Sequence, residues 1–231
     1  MESITKFTGC TISSHDCRCF EVLSDAERKI IEDNSVTIHY KKGEIISKQG
    51  GFVSQVMYME EGLAKVFIDN GTNSLLLRII PDGSFLGLSA VSDNHTTFPY
   101  SAQAYIDSKV RQIDVKVFRE LVRKNALFAN ELIDILSANS IQIYGRFFCL
   151  TYKQAYGRLA DILLCLADRI FKKNNFDLPL SRKEIAELSG MTPETVVRML
   201  KKFNEEGLIR MNGKHLEIVN VDRLQRISET G

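Results

Sequence analysis

Short apolar runs separated by glycine-bearing turns dominate residues 20–113. The runs are Glu44-Ile45-Ile46, Val56-Met57-Tyr58-Met59, Ala64-Lys65-Val66-Phe67-Ile68 and Leu75-Leu76-Leu77-Arg78-Ile79-Ile80. Gly43, Gly50-Gly51, Gly62, Asp69-Asn70-Gly71, Pro81-Asp82-Gly83 and Gly87 punctuate them. Strands this short and closely spaced predict an antiparallel sandwich or roll. Ahead of them, Ser24 followed three residues later by Glu27 has the form of a capping box and predicts a helix at 24–34.

Past Asp114 the apolar period lengthens from two to roughly 3.6, so the remainder is mainly helical. A short helix is predicted over 115–124 and a longer one over 127–150, with Phe128, Leu132, Ile135, Leu136, Ile143, Phe147 and Leu150 spaced by threes and fours. A helix of about 24 residues is about 36 Å long, more than one small roll covers, so part of its stripe needs another partner. Asn139 falls inside the stripe, where a polar residue often fixes the register of paired helices.

The most informative stretch begins at Pro179. Ser181 with Glu184 forms a second capping box, Gly190 suits a left-handed helix end, and Thr192 followed by Pro193 starts another helix. Two short helices joined by a tight glycine-bearing turn make a helix-turn-helix, held together by Ile185, Ala186, Leu188, Met191, Val196, Leu200 and Phe203. The outer face of the second helix then carries Glu194, Thr195, Val197, Arg198, Lys201 and Lys202, a composition suited to the DNA major groove. Apolar strands on either side of Asn212-Gly213 predict a hairpin wing, with Arg210 and Lys214 near the sugar-phosphate chain.

Composition narrows the class further. The chain has 231 residues, 44% apolar and 26% charged, enough for one or two domains with real cores. It has no apolar run of the roughly 20 residues that a membrane helix needs, and Met1-Glu2-Ser3-Ile4 lacks the pattern of a signal peptide, so the expected location is cytoplasmic without membrane contact. Net charge is +1 overall, but residues 151–231 hold 14 Lys+Arg against 11 Asp+Glu. That surplus agrees with a nucleic-acid partner. No phosphate loop, zinc-protease motif or nucleophile elbow is present, so no enzyme is predicted. The five cysteines are expected to be reduced thiols, with Cys149 and Cys165 as small core residues.

Taken in order, these elements resemble the Crp/Fnr family of bacterial transcription regulators. Lys42-Gly43-Glu44-Ile45-Ile46-Ser47-Lys48-Gln49-Gly50 is similar to its early roll motif, Gly62-Leu63-Ala64-Lys65-Val66 to its second turn, and Tyr156-Gly157-Arg158-Leu159-Ala160 to the join before its DNA-binding domain. The resemblance implies an α+β chain in three parts. These are a jelly-roll-like antiparallel β-roll of the cyclic-nucleotide-binding type over 1–125, a dimerisation helix over 126–150 and a winged helix-turn-helix over 151–231. It implies a homodimer on a near-palindromic operator of double-stranded DNA, with RNA polymerase as a further partner if the protein activates. Glu194 and Arg198 match the family's base-reading Glu and Arg and share one helix face, where they can brace each other. The implied DNA-contact set is Ser181, Arg182, Thr192, Pro193, Glu194, Thr195, Val197, Arg198, Lys201 and Lys214. Pro193 and Val197 depart from the family's usual residues, which leaves the outer bases of the half-site open.

The same resemblance frames the signal. Leu88 replaces the family's ribose-binding carboxylate and Tyr100 its phosphate-binding guanidinium, so cyclic AMP is disfavoured. An effector pocket of Phe85, Gly87, Leu88, Tyr100, Ser101, Asn139, Ile143 and Tyr144 is one alternative. An Fe–S cluster or a redox switch on Cys10, Cys17 and Cys19 is another, although Arg111 stands where a fourth cysteine is expected. Haem is a third, although His15, His39 and His95 stand in no pattern that singles one out.

Overall fold

A computed structural model describes residues 18–72 and 74–231, and their contacts divide into two compact units that meet in sequence at residue 140. In the first unit, α1 (Asp25–Asp33) begins at the Ser24 capping box and ends at Asn34. Eight strands follow: β1 (Ser35–Tyr40), β2 (Ile45–Ser47), β3 (Gln55–Glu61), β4 (Leu63–Asp69), β5 (Ser74–Pro81), β6 (Phe85–Leu86), β7 (Ser101–Ala104) and β8 (Ser108–Asp114). They form two antiparallel four-stranded sheets in the orders β1-β8-β3-β6 and β2-β7-β4-β5. Gly62 turns β3 into β4 at φ 117°, and a Cβ there would stand 2.7 Å from the Ser108 Cα, so only glycine fits.

Two apolar clusters fill this unit. Ile46, Met57, Met59, Ala64, Val66, Ile80, Leu86, Phe98, Ala102, Ala104 and Val110 close the interior of the roll. The second cluster joins Cys19, Val56, Phe85, Leu88 and Ile113 to the helices, with Phe118 of α2 (Val115–Lys124) and Phe128, Leu132 and Ile135 of α3 (Ala126–Tyr152). Asp114 caps α2 by accepting from the backbone N–H groups of Lys116 and Val117. The period change at that residue therefore coincides with a real switch from strand to helix.

The second unit contains the C-terminal part of α3, then α4 (Ala155–Cys165), a π-helical turn over Leu166–Phe171 and the short strand β9 (Asn175–Asp177). After these come α5 (Arg182–Ser189), α6 (Pro193–Glu205), β10 (Ile209–Asn212), β11 (His215–Ile218) and α7 (Val221–Thr230). The sheet order is β10-β11-β9, so the wing hairpin gains a third strand, and α7 packs on α4. Buried Asp161 of α4 ties this unit together. It accepts from Lys153 Nζ at 2.6 Å, from the Cys149 thiol at 3.4 Å and from the Ser228 hydroxyl of α7.

Three expectations change. Asn212 belongs to β10 and pairs with His215, leaving Gly213-Lys214 as the two-residue loop. Positive φ at Gly213 and not at Lys214 is the type II′ pattern, in place of a turn centred on Asn212-Gly213. The Asn139 Oδ1 accepts from the Arg78 guanidinium of its own chain, a contact its place in the stripe did not predict. Cys165 is buried as expected but is disulfide-bonded, which corrects its reading as a reduced thiol. Among the described residues, no helix is long and apolar enough to cross a membrane.

Candidate nucleic-acid interface

The helix-turn-helix is built from its caps outward. At the start of α5 the Ser181 hydroxyl accepts from the Glu184 N–H at 3.2 Å, while the Glu184 carboxylate accepts from the Ser181 N–H at 2.6 Å. The helix closes at Gly190, φ 61°, whose N–H reaches the Ala186 carbonyl. A Cβ there would lie 3.0 Å from Leu150. Thr192 starts α6 by accepting from the Thr195 N–H, and Pro193 occupies the first turn, where no N–H is required.

Burial then sorts α6 into two faces. Val196, Leu200 and Phe203 are at most 3% exposed and pack toward the Ile185, Ala186 and Leu188 side of α5, whereas Met191 of the turn is only half-buried. The Arg146 guanidinium donates to the Leu188 carbonyl and fixes the end of α5 against α3. On the opposite face of α6, Glu194, Val197, Arg198 and Lys201 are exposed, with Val197 at 51%. A valine half exposed among charges offers an apolar surface that can contact a thymine methyl.

The charges on this face differ in freedom. Hydrogen bonds to its own backbone N–H and then to the Thr192 side chain hold the Glu194 carboxyl below the ordinary range, so it stays ionised at the helix tip. It makes no ion pair with Arg198 among the described residues, so the two do not brace each other. Lys201 lies 3.7 Å from Glu205, an exposed pair worth little. In the wing, Arg210 is bound to Glu217 across the hairpin at 2.7 Å, while Lys214 stands exposed in the loop. Ser181 is exposed at its cap, Arg182 is half-buried with Nη2 3.9 Å from the Met211 sulfur, and Thr195 shares a 3.1 Å hydroxyl contact with Thr192.

The residues singled out for a signal are dispersed. Phe85 and Leu88 belong to the cluster against α1, α2 and α3, whereas Tyr100 packs on the roll interior and accepts from the Gly87 N–H at 3.0 Å. Ser101 is buried and accepts from the Gln49 N–H, and Ile143 and Tyr144 are exposed at 46% and 64%. Cys10 and Cys17 lie outside the described residues. Cys19 is fully buried in the apolar cluster, and the Arg111 side chain donates to Glu60 at 2.7 Å. Sequence reading passed over Arg78, although a lone cation inside Leu75-Leu76-Leu77-Arg78-Ile79-Ile80 was signal enough to mark it.

Comparison with known proteins places both units. Residues 37–125 match the Cyclic nucleotide-binding domain and residues 157–227 the Crp-like helix-turn-helix domain. The Transcriptional activator protein FnrA of Stutzerimonas stutzeri is 30% identical over 186 residues, spanning 78% of this chain and 75% of the relative. The Fumarate and nitrate reduction regulatory protein of Escherichia coli K12 is 24% identical over 231 residues, 95% of this chain and 92% of the relative. In fold, the chain is similar to FixK2 from Bradyrhizobium japonicum, with TM-score 0.78 and 21% identity over 85% of this chain and 98% of that one. Two matched domains in the expected order, together with a relative aligned over three quarters of its length, show that the chain belongs to the Crp/Fnr family of DNA-binding transcription regulators.

Proposed function

We propose that the protein acts as a homodimer whose two α6 helices enter successive major grooves of a near-palindromic operator. Residues 1–125 form the sensory part, 126–150 the self-pairing helix and 151–231 the duplex-binding part. Arg198 reads guanine and Glu194 accepts from a cytosine amino group, while Ser181, Arg182, Thr192, Pro193, Thr195, Lys201 and Lys214 position the helix on phosphates and Val197 touches an apolar base edge. The observation that carries this reading is the exposed charged face of α6 behind a fully packed inner face. Its role is regulatory and not enzymatic, its location cytoplasmic, and the signal is something other than cyclic AMP. RNA polymerase is the further partner where it activates.

Self-pairing through α3 rests on Ile133, Leu136, Ile143 and Phe147, which are 42–71% exposed and follow three- and four-residue spacing with Ser140 between them. Footprinting on genomic fragments tests the duplex reading. Arg198→Ala should remove about 1–3 kcal/mol of sequence discrimination while leaving the dimer intact. Lys214→Ala should weaken all sequences alike and lower the salt slope by about one. Unchanged selectivity after Arg198→Ala would refute the assignment of base reading.

A further inference from the structure

The second unit holds an open cavity of about 980 Å³, bounded by the end of α3, by α4, by the π-helical turn and by α7. That volume lies at the upper end of the range for small-molecule sites. Phe148, Leu164, Ala167 and Val221 give it an apolar wall. Its buried polar part is the Lys153–Asp161 ion pair with Ser228, the two charged side chains being only 10% and 8% exposed. Arg169, Lys172 and Lys173 complete the lining from the turn and the residues after it. The backbone there is unusual in two respects. Leu166–Phe171 is π-helical, a rare form that recurs at functional sites. Lys172 closes the turn at φ 50°, among the described residues the one non-glycine with a positive φ. A left-handed lysine is held against its own steric preference, and such strain gathers at ligand sites.

Charge decides what the cavity can take. Asp161 is matched by Lys153 and engages both of its oxygens, with Cys149 and Ser228 as further donors, so the buried acid is already committed. Glu229 has partners of its own, and Asp168 is 83% exposed with Arg169 Nε 4.0 Å away. By contrast, among the described residues no carboxylate lies within ion-pair distance of Lys172 or Lys173. The uncommitted charge of the lining is therefore positive, and it stands beside an apolar wall.

We propose that this cavity binds a small organic carboxylate, its anionic end at Lys172 and Lys173 and its apolar body against Phe148, Leu164 and Val221. Two paths lead from the cavity to the helix-turn-helix. Helix α7 lines it with Val221, Gln225 and Ser228, and Arg223 of the same helix lies 3.6 Å from Glu206, the C-cap of α6. Residues 172–174 run directly into β9, which pairs with β11 of the wing. A ligand that favours one placement of α7 or β9 shifts the duplex-binding surface by its differential affinity for the two placements. The binding site stands without the duplex reading, and only this consequence rests on it.

The full-length chain, kept free of thiol reductant so that the Cys165 disulfide stays intact, is titrated with 4-phenylbutyrate and with its neutral amide. Ionic strength is held constant and Tm is followed. At roughly ten times the half-saturating concentration the carboxylate should raise Tm by about 3–6 °C. The amide should need a concentration about fivefold higher for the same rise. Gln225→Trp places an indole in the cavity from an exposed position and should abolish the saturable rise. Joint Lys172→Gln and Lys173→Gln should weaken the carboxylate about fivefold and leave the amide unchanged, a pattern no general folding defect gives. This second variant keeps the test open if the tryptophan variant does not fold. No saturable rise in wild type, or an equal rise in both variants, overturns the site. Equal affinity for carboxylate and amide overturns its anionic class. In a separate operator titration the bound carboxylate should change duplex affinity about fivefold or more in wild type and not in Gln225→Trp. Binding without that change overturns the coupling alone. Loss of operator binding under all conditions contradicts the duplex reading and leaves the cavity site standing.

Discussion

Asp161 is held in a buried site by Lys153, Cys149 and Ser228, and the arrangement has two measurable consequences. Asp161→Ala leaves Lys153, 10% exposed, without its counter-ion and should cost about 3–5 kcal/mol in denaturant unfolding. Burial first, and then the Asp161 charge and hydrogen bond, push the Cys149 thiol from 9.0 to about 11. A raised thiol pKa means that the folded state keeps its proton longer than the unfolded chain does. Its contribution to stability is therefore full below pH 9.0 and falls as pH rises toward about 11. The stability difference between wild type and Cys149→Ser should shrink over that interval and stay constant below it. None of this was legible in the sequence, because Cys149, Asp161 and Ser228 come from three helices and only packing brings them together. The caps of α1 and α5 were legible to the residue, because a capping box is a local hydrogen-bond exchange that needs no tertiary partner.

At the scale of elements, α2 and both helices of the helix-turn-helix follow the apolar period closely, since each buries one continuous face. The wing turn does not. The Asn212-Gly213 signal locates the hairpin, but cross-strand pairing of Asn212 with His215 decides which residues form the loop. Strand β9 and helix α7 went unread because β9 is three residues long and exists through its ladder to β11, and α7 through its packing on α4. Along α3 the apolar pattern predicted one stripe, whereas the structure shows two. Phe128, Leu132 and Ile135 turn into their own unit, while Ile133, Leu136, Ile143 and Phe147 face outward. Placing charge on the outward set, as in Ile143→Glu or Phe147→Glu, should leave the monomer folded and shift sedimentation from dimer to monomer. A variant that still sediments as a dimer would exclude this stripe as the seam.

For the whole molecule, order and spacing of elements carried the family, and the signal was carried by much less. Leu88 lies in the helix-facing cluster and has no hydrogen bond to give a ribose, and the Tyr100 phenol is neutral where a cyclic phosphate calls for a guanidinium. Calorimetric titration with cyclic AMP should show no saturable heat, and a micromolar site would refute the substitution argument at those two residues. Most residues proposed to contact DNA lie on or beside α6 and are readable from helical spacing alone. Residues lining a roll come from strands distant in sequence, and their convergence depends on sheet order.

Glu194 sits ionised at the leading end of α6, its carboxylate held by the backbone N–H there and by Thr192. If α6 enters the groove as proposed, a rod with a carboxylate at its tip is repelled by a polyphosphate lattice at every stop except one that supplies an amino hydrogen for it to accept. Recognition by this regulator would then work largely by rejection, with short dwell times on foreign sequence setting its selectivity more than tight grip on the right one.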